Sequence, residues 1–155
     1  MTDSTLDSFT KLIPGFGSYK SEQKRRDDDV EARKYLADRL QECKRDLQIV
    51  ATQFLENGNF QAITQAEKLR AAIELAQSKI RAAVEGYSSW FETSKVDEAK
   101  LKKVLDLDND LVAVVDRLQH EISLLSKDSF DVASATEVVS NLKERFSRRA
   151  ELLAK

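Results

Sequence analysis

Turn-forming residues are scarce in this chain: its 155 residues include four glycines and one proline. That leaves little room for the frequent reversals of sandwiches, barrels and βαβ folds. The single cysteine, Cys43, excludes an intrachain disulfide framework and is compatible with a reducing compartment. The single histidine, His120, excludes a zinc or di-iron site built on several imidazoles, and the residue three before it is Arg117, not glutamate. No apolar run approaches about 20 residues, so no bilayer span is expected. Neither charge sign dominates, with 25 Lys and Arg against 27 Asp and Glu. This near-balance argues against a nucleic-acid-binding module. The opening residues, Met1 to Asp7, have neither the basic nor the apolar region of a secretory signal, and a cytoplasmic protein is expected.

What the chain has in quantity is helical spacing. Leu36, Leu40, Cys43, Leu47, Val50 and Phe54 follow one another at steps of four and three, which keeps them on one seam of a helix. The charged run from Glu22 to Lys34 contains no breaker and extends the same helix upstream. Asn57, Gly58 and Asn59 then supply a stop and a new N-cap. A second stripe runs through Phe60, Ile63, Ala66, Leu69, Ile73, Ala76, Ile80, Val84 and Tyr87. A third, starting near Ser94, runs through Leu101, Val104, Leu107, Leu111, Val115, Leu118, Ile122 and Leu125. A fourth, with Ser134 to Glu137 as its capping box, runs through Ala135, Val138, Val139, Leu142, Phe146, Ala150 and Leu153. Each stripe alone is unstable in water and must be buried against another. Short connections favour antiparallel neighbours. The expected fold is all-α: an antiparallel up-down bundle of four long helices over residues 20–155, preceded by a short N-terminal amphipathic arm over 1–19.

That arm carries Leu6, Phe9, Leu12 and Ile13 before Pro14-Gly15, then Phe16 and Tyr19. It is too small to be a domain and must dock on the bundle, on a partner or on lipid. Gly15 to Ser21 imitates a phosphate-binding loop, but Tyr19 stands before the lysine where that loop needs glycine. A flexible joint is the plainer expectation. Asp106, Asp108 and Asp110 imitate the opening of a calcium loop. Leu111 and Arg117 occupy the positions where that loop needs glycine and glutamate, so a solvated acidic face is expected. Cys43 lies on the first stripe and is expected to be a packed, unreactive thiol. No motif announces a catalytic triad or carboxylate pair, so neither catalysis, nor a metal, nor a cofactor is expected.

Two further clusters remain as candidate contact surfaces. Gly86 to Phe91 is the one dense aromatic segment, with Tyr87, Trp90 and Phe91, residue types that anchor interfaces. Arg145, Arg148 and Arg149 concentrate positive charge in the last helix and suggest a basic docking patch for an acidic partner. Lys24-Arg25-Arg26 is followed at once by Asp27-Asp28-Asp29, so its field is cancelled locally.

The segments Leu12 to Tyr19, Arg25-Arg26 and Gly86 to Phe91 resemble a set of uncharacterised bacterial cytosolic helical-bundle proteins. The resemblance implies a bacterial cytosolic protein and carries no activity. The layout is also loosely similar to phage-shock, membrane-remodelling helical proteins, although Pro14 interrupts the start. Together these features predict a non-catalytic interaction or scaffold module. Its expected protein-partner contacts are Phe9, Leu12, Ile13, Phe16, Tyr19, Tyr87, Trp90 and Phe91. The alternatives are a peripheral membrane protein that inserts its arm, and self-association through an unfilled seam.

Overall fold

A computed structural model describes residues 9–83, 90–91, 97–126 and 130–154. They form an all-helical protein. Four long helices follow in order: α1 (Glu22–Glu56), α2 (Phe60–Ala82), α3 (Glu98–Ser123) and α4 (Ala133–Ala154). One turn of helix over residues 9–12 precedes them.

The charged run after Glu22 belongs to α1, whose 35 residues make a rod of about 52 Å. The stop behaves as its residues dictate. Asn57 ends α1 and Gly58 adopts a φ of +75°, a conformation that costs a residue with a side chain about 1–2 kcal/mol. The Asn59 side chain then accepts the Ala62 amide at 3.1 Å and caps α2. The other two starts differ in detail from expectation. Asp97 caps α3, accepting the amides of Ala99 and Lys100 at 3.0 and 3.3 Å; Ser94 lies outside the described residues. Asp131 accepts the Ala133 amide at 2.9 Å, which places Ser134 inside α4 instead of at its cap.

Helix directions follow from which residues pair. Within the first hairpin, Arg33 reaches the carbonyls of Ile80 and Arg81, and Gln77 reaches that of Ala37, so α1 and α2 are antiparallel. Within the second, Asp108 pairs with Arg149 and Asp110 with Arg145, so α3 and α4 are antiparallel too. Between the hairpins α1 lies beside α3, and α2 beside α4. Arg39 pairs with Asp116 at 2.7 Å and Gln119 donates to Asp46 at 3.5 Å, so α1 and α3 run in the same direction. Short connections alone predict antiparallel neighbours throughout. Here the hairpin is the antiparallel unit, and the contact between hairpins is parallel because α3 starts at the same end as α1 and lies beside it.

The four seams meet in one core that includes Leu36, Leu40, Cys43, Ile73, Ile80, Leu111, Val115, Leu118, Leu142 and Leu153. Alanines 66 and 76 on α2 keep that helix close to its neighbours. Some stripe residues are not fully buried, among them Val50, Ile63 and Ala150, which are half-buried. Phe60, the first residue of α2, is 71% exposed, and Leu107 is only half-buried while its neighbour Asp108 is buried. Val84 and Tyr87 lie outside the described residues.

Replacing Asn59 with alanine removes the α2 cap without touching the core. It is expected to lower unfolding free energy by about 1 kcal/mol in urea titrations, with an unchanged m-value.

Candidate functional site

Six charged side chains are buried at the end of the molecule where α1 and α3 begin. They are Arg25, Asp28, Asp29 and Arg33 of α1, Asp108 of α3 and Arg149 of α4. Three cations face three carboxylates, and the fully buried phenol of Tyr19 joins them. Charges are excluded from low-dielectric interiors unless they are paired and hydrogen-bonded. Here the pairing runs as a chain. Arg33 donates to Asp29 at 2.8 Å, and the other oxygen of Asp29 lies 2.9 Å from an Arg149 nitrogen. Arg149 Nε donates to Asp108 at 2.6 Å, and its Nη2 donates to the Tyr19 hydroxyl at 2.9 Å. The Tyr19 hydroxyl in turn donates to the second oxygen of Asp108. Arg33 also places its Nη1 on the last carbonyls of α2, 3.2 Å from Ile80 and 2.7 Å from Arg81. Those carbonyls have no partner within their own helix, and a cation there complements the helix dipole. One connected set of charges therefore touches all four helices and the arm.

The arm is held by its backbone as well. The Asp28 carboxylate accepts the Gly17 amide at 2.9 Å and the Tyr19 amide at 3.0 Å. Arg25 donates from Nε to the Tyr19 carbonyl at 2.8 Å and from Nη1 to the Trp90 carbonyl at 3.2 Å. Lys24 reaches the carbonyl of Gly15. The joint expected to be flexible is thus a fixed turn. A β-carbon on Gly17 would stand 2.9 Å from Asp28 Oδ2, so only glycine lets that carboxylate close on the amide. Around this polar centre the aromatic rings follow one another in tilted and edge-to-face contacts. Phe9 meets Tyr35 at 5.7 Å and Phe16 at 5.5 Å, Phe16 meets Tyr19 at 5.3 Å, and Tyr19 meets Trp90 at 5.8 Å. Arg26 lies 4.3 Å from the Phe91 ring centroid.

The candidate contact residues can now be placed. Phe9, Ile13, Phe16, Tyr19, Trp90 and Phe91 are buried within the chain's own core, and Leu12 alone of the described set is exposed, at 43%. Their apolar surface is spent on the arm's own docking, not offered to solvent. Tyr87 lies outside the described residues. The basic patch is likewise altered. Arg149 is 1% exposed and committed to Asp29 and Asp108, Arg145 pairs with Asp110 at 3.1 Å, and Arg148 pairs with Glu144. The acidic face loses Asp108 to the interior, while Asp106 pairs with Lys102 at 2.9 Å. His120 is exposed on α3.

The charged core residues were missed, yet their spacing marks them. Carrying the α1 seam back from Leu36 in the same steps reaches Ala32, Asp29 and Arg25. In α3 the series Leu101, Val104, Leu111 leaves a slot filled by Asp108, and in α4 the step of three from Phe146 lands on Arg149. Polarity argued for the surface, and periodicity argued for the interior. Periodicity prevailed because Asp29, Asp108 and Arg149 occupy facing slots and pair with one another, while Arg25 finds the Tyr19 and Trp90 carbonyls.

Burial pushes the Tyr19 phenol well above its usual value, and the Asp108 charge adds to the effect. Burial also raises Asp108, against the opposing pull of Arg149 and the Tyr19 hydroxyl. The Cys43 thiol is pushed up to about 12 by burial. A thiol so held is not a nucleophile at neutral pH. Among the described residues no three His, Cys, Asp or Glu side chains could hold a metal ion, and no helix is long and apolar enough to cross a membrane. A groove of about 140 Å³ between α1 and α2 is lined by Leu47, Ala51, Ile63 and Arg70, and none of the charged core residues lines it. Comparison with protein-family models, curated proteins and solved structures yields no match.

Two outcomes are expected. Arg149→Ala leaves Asp29 and Asp108 buried without their shared cation, and should destabilise by about 3–5 kcal/mol in urea; Tyr19→Phe should cost about 1–3 kcal/mol. In alkali, Tyr19 and Cys43 keep their protons in the folded state while the unfolded chain releases them from their ordinary values upward. Stability is therefore present below pH 9 and declines as pH rises further, by about 1.4 kcal/mol per pH unit for each group ionised only when unfolded. Chemical denaturation between pH 8 and 11 checks this, and Tyr19→Phe should flatten the upper part of the decline.

Proposed function

We propose that this protein is a non-catalytic helical interaction module of the cytoplasm: a four-helix up-down bundle that presents the outer edge of its N-terminal arm to a protein partner, with the aromatic side chains of Trp90 and Phe91 buried within its own core. The observation that carries the reading is the closed, charge-balanced cluster around Arg149. Within it Arg149 is shared by Asp29, Asp108 and the Tyr19 hydroxyl, and all four side chains are buried. Catalytic carboxylates and bases need an approach for substrate, and the grooves at α1/α2 and at α3/α4 lie elsewhere. Buried ionic groups contribute less stability than apolar packing of the same volume, but they impose a single arrangement because any other leaves charges unpaired. An arm fixed in one pose is what an interface needs and what a simple structural bundle does not.

The part of the arm open to a partner is its outer edge at Thr10, Lys11 and Leu12, all exposed. Leu12 is the apolar contact among them. Among the described residues, Phe9, Ile13, Phe16 and Tyr19 face the bundle, so their insertion into lipid would first require undocking. A partner that reads the docked arm needs no such step. For this reason the protein-binding reading is preferred to the membrane one.

Affinity purification from the native cell, followed by reconstitution with the purified co-eluting protein, tests the proposal. A stoichiometric complex is expected, weakened about tenfold or more by Leu12→Asp, a loss of about 1.4 kcal/mol or more, with thermal unfolding unchanged. A protein that elutes alone, or a complex indifferent to Leu12→Asp, overturns it. Flotation with anionic vesicles should recover no protein.

A further inference from the structure

The clasp holds the arm in a conformation the backbone itself disfavours. Ser18 and Tyr19 have φ of 55° and 64°, two consecutive residues with side chains in the left-handed region, where glycine is the usual occupant. Such strain persists only where surrounding contacts over-determine it, and an observed outlier of this kind points toward a functional constraint. The restraining contacts are of two kinds: a polar clasp, with Asp28 on two amides, Arg25 on the Tyr19 carbonyl and the Tyr19 hydroxyl between Asp108 and Arg149, and the burial of Phe9, Ile13, Phe16 and Tyr19. The helices, in contrast, are joined to one another by long apolar seams from Leu36 to Phe54 and from Leu111 to Leu125. Opening the arm therefore breaks the clasp and exposes one end of the core, a cost offset in part by the released strain, whereas separating the helices exposes the far larger apolar surface of all four seams.

We infer that residues 9–20 form a strap with a discrete open state, reached while α1 to α4 remain packed, and that the balance is set by the Asp28 clasp against the left-handed turn at Ser18 and Tyr19. Opening swings out Phe9, Ile13, Phe16 and Tyr19 and uncovers Trp90, the apolar residues that the closed form keeps from any partner. The strap thus exchanges one surface for another: closed, it offers its outer edge at Leu12, and open, the apolar residues beneath it. The inference goes beyond the interaction reading and requires no partner to test, so either can fail alone.

Two substitutions move the balance in opposite directions. Asp28→Asn cannot accept both amides, because one side-chain oxygen becomes a donor. Ser18→Gly removes the steric penalty of the left-handed turn. Hydrogen exchange of the full chain, followed by mass spectrometry, compares residues 9–20 with the core segments of α1 and α3. The strap should exchange faster than the core in the natural sequence. Asp28→Asn should speed the strap at least tenfold with the core unchanged, and Ser18→Gly should slow it about threefold. Trp90, the one tryptophan, gives a second readout: its emission should shift to the red in Asp28→Asn as the Tyr19 ring departs and water enters. Strap and core exchanging at one common rate, or both accelerating together in Asp28→Asn, overturns the inference. Should Asp28→Asn fail to fold, Ser18→Gly decides by itself: slower exchange confined to the strap supports the inference, and an unchanged rate overturns it.

Discussion

The pairing of Arg149 with two carboxylates from two different helices is the constraint on which the rest of this molecule depends. A guanidinium without partners cannot be taken into a helical core, and neither Asp29 nor Asp108 can be buried there alone. Once the three are brought together, α1, α3 and α4 have one permitted register at this end of the molecule. The Tyr19 hydroxyl bridges Arg149 and Asp108, which brings the arm under the same constraint. Arg33 extends the chain of charges to the end of α2. Apolar side chains tolerate small slips along a helix, whereas a guanidinium shared by two carboxylates from different helices does not.

This division of labour explains how a repetitive sequence specifies one structure. Leucine, isoleucine, valine and alanine along four seams supply most of the driving force, but such stripes are nearly interchangeable and permit several ways of pairing rods. The charged slots at one end remove that degeneracy. They pair α1 with α3 side by side and in the same direction, an arrangement that short connections and hydrophobic spacing do not specify. The far end is simpler. There Phe54 and Phe130 meet at 4.5 Å and the turn at Gly58 reverses the chain, with apolar contact and backbone geometry sufficing.

The helical stretches were legible because the step pattern of three and four is strong over every one of them, and breakers are few and well placed. Asn59 was legible as a cap for the same reason. The arm residues were legible as a group of large apolar side chains outside the seams, but not their destination. Leu12 and Phe16 look alike in sequence, yet one is exposed and the other buried, because only the docked pose determines which face of a short turn meets the bundle. Arg145, Arg148 and Arg149 form one cluster on paper. A helical turn separates their directions, so two reach exposed carboxylates and the third enters the core. Asp27, Asp28 and Asp29 divide in the same way, Asp27 staying exposed while its two neighbours are buried.

By itself the sequence determined that this is a helical protein, where its rods begin and end to within a few residues, and that Cys43 is packed away. These are local properties, set by spacing and by capping groups within a few residues of one another. Only the tertiary structure decided that six charges belong inside, that the hairpins meet in parallel, and that the arm folds back on its own chain. Each of those depends at least in part on partners far apart in the chain, such as Tyr19 and Arg149, and whether a charge can be buried is a property of the pair, not of the residue.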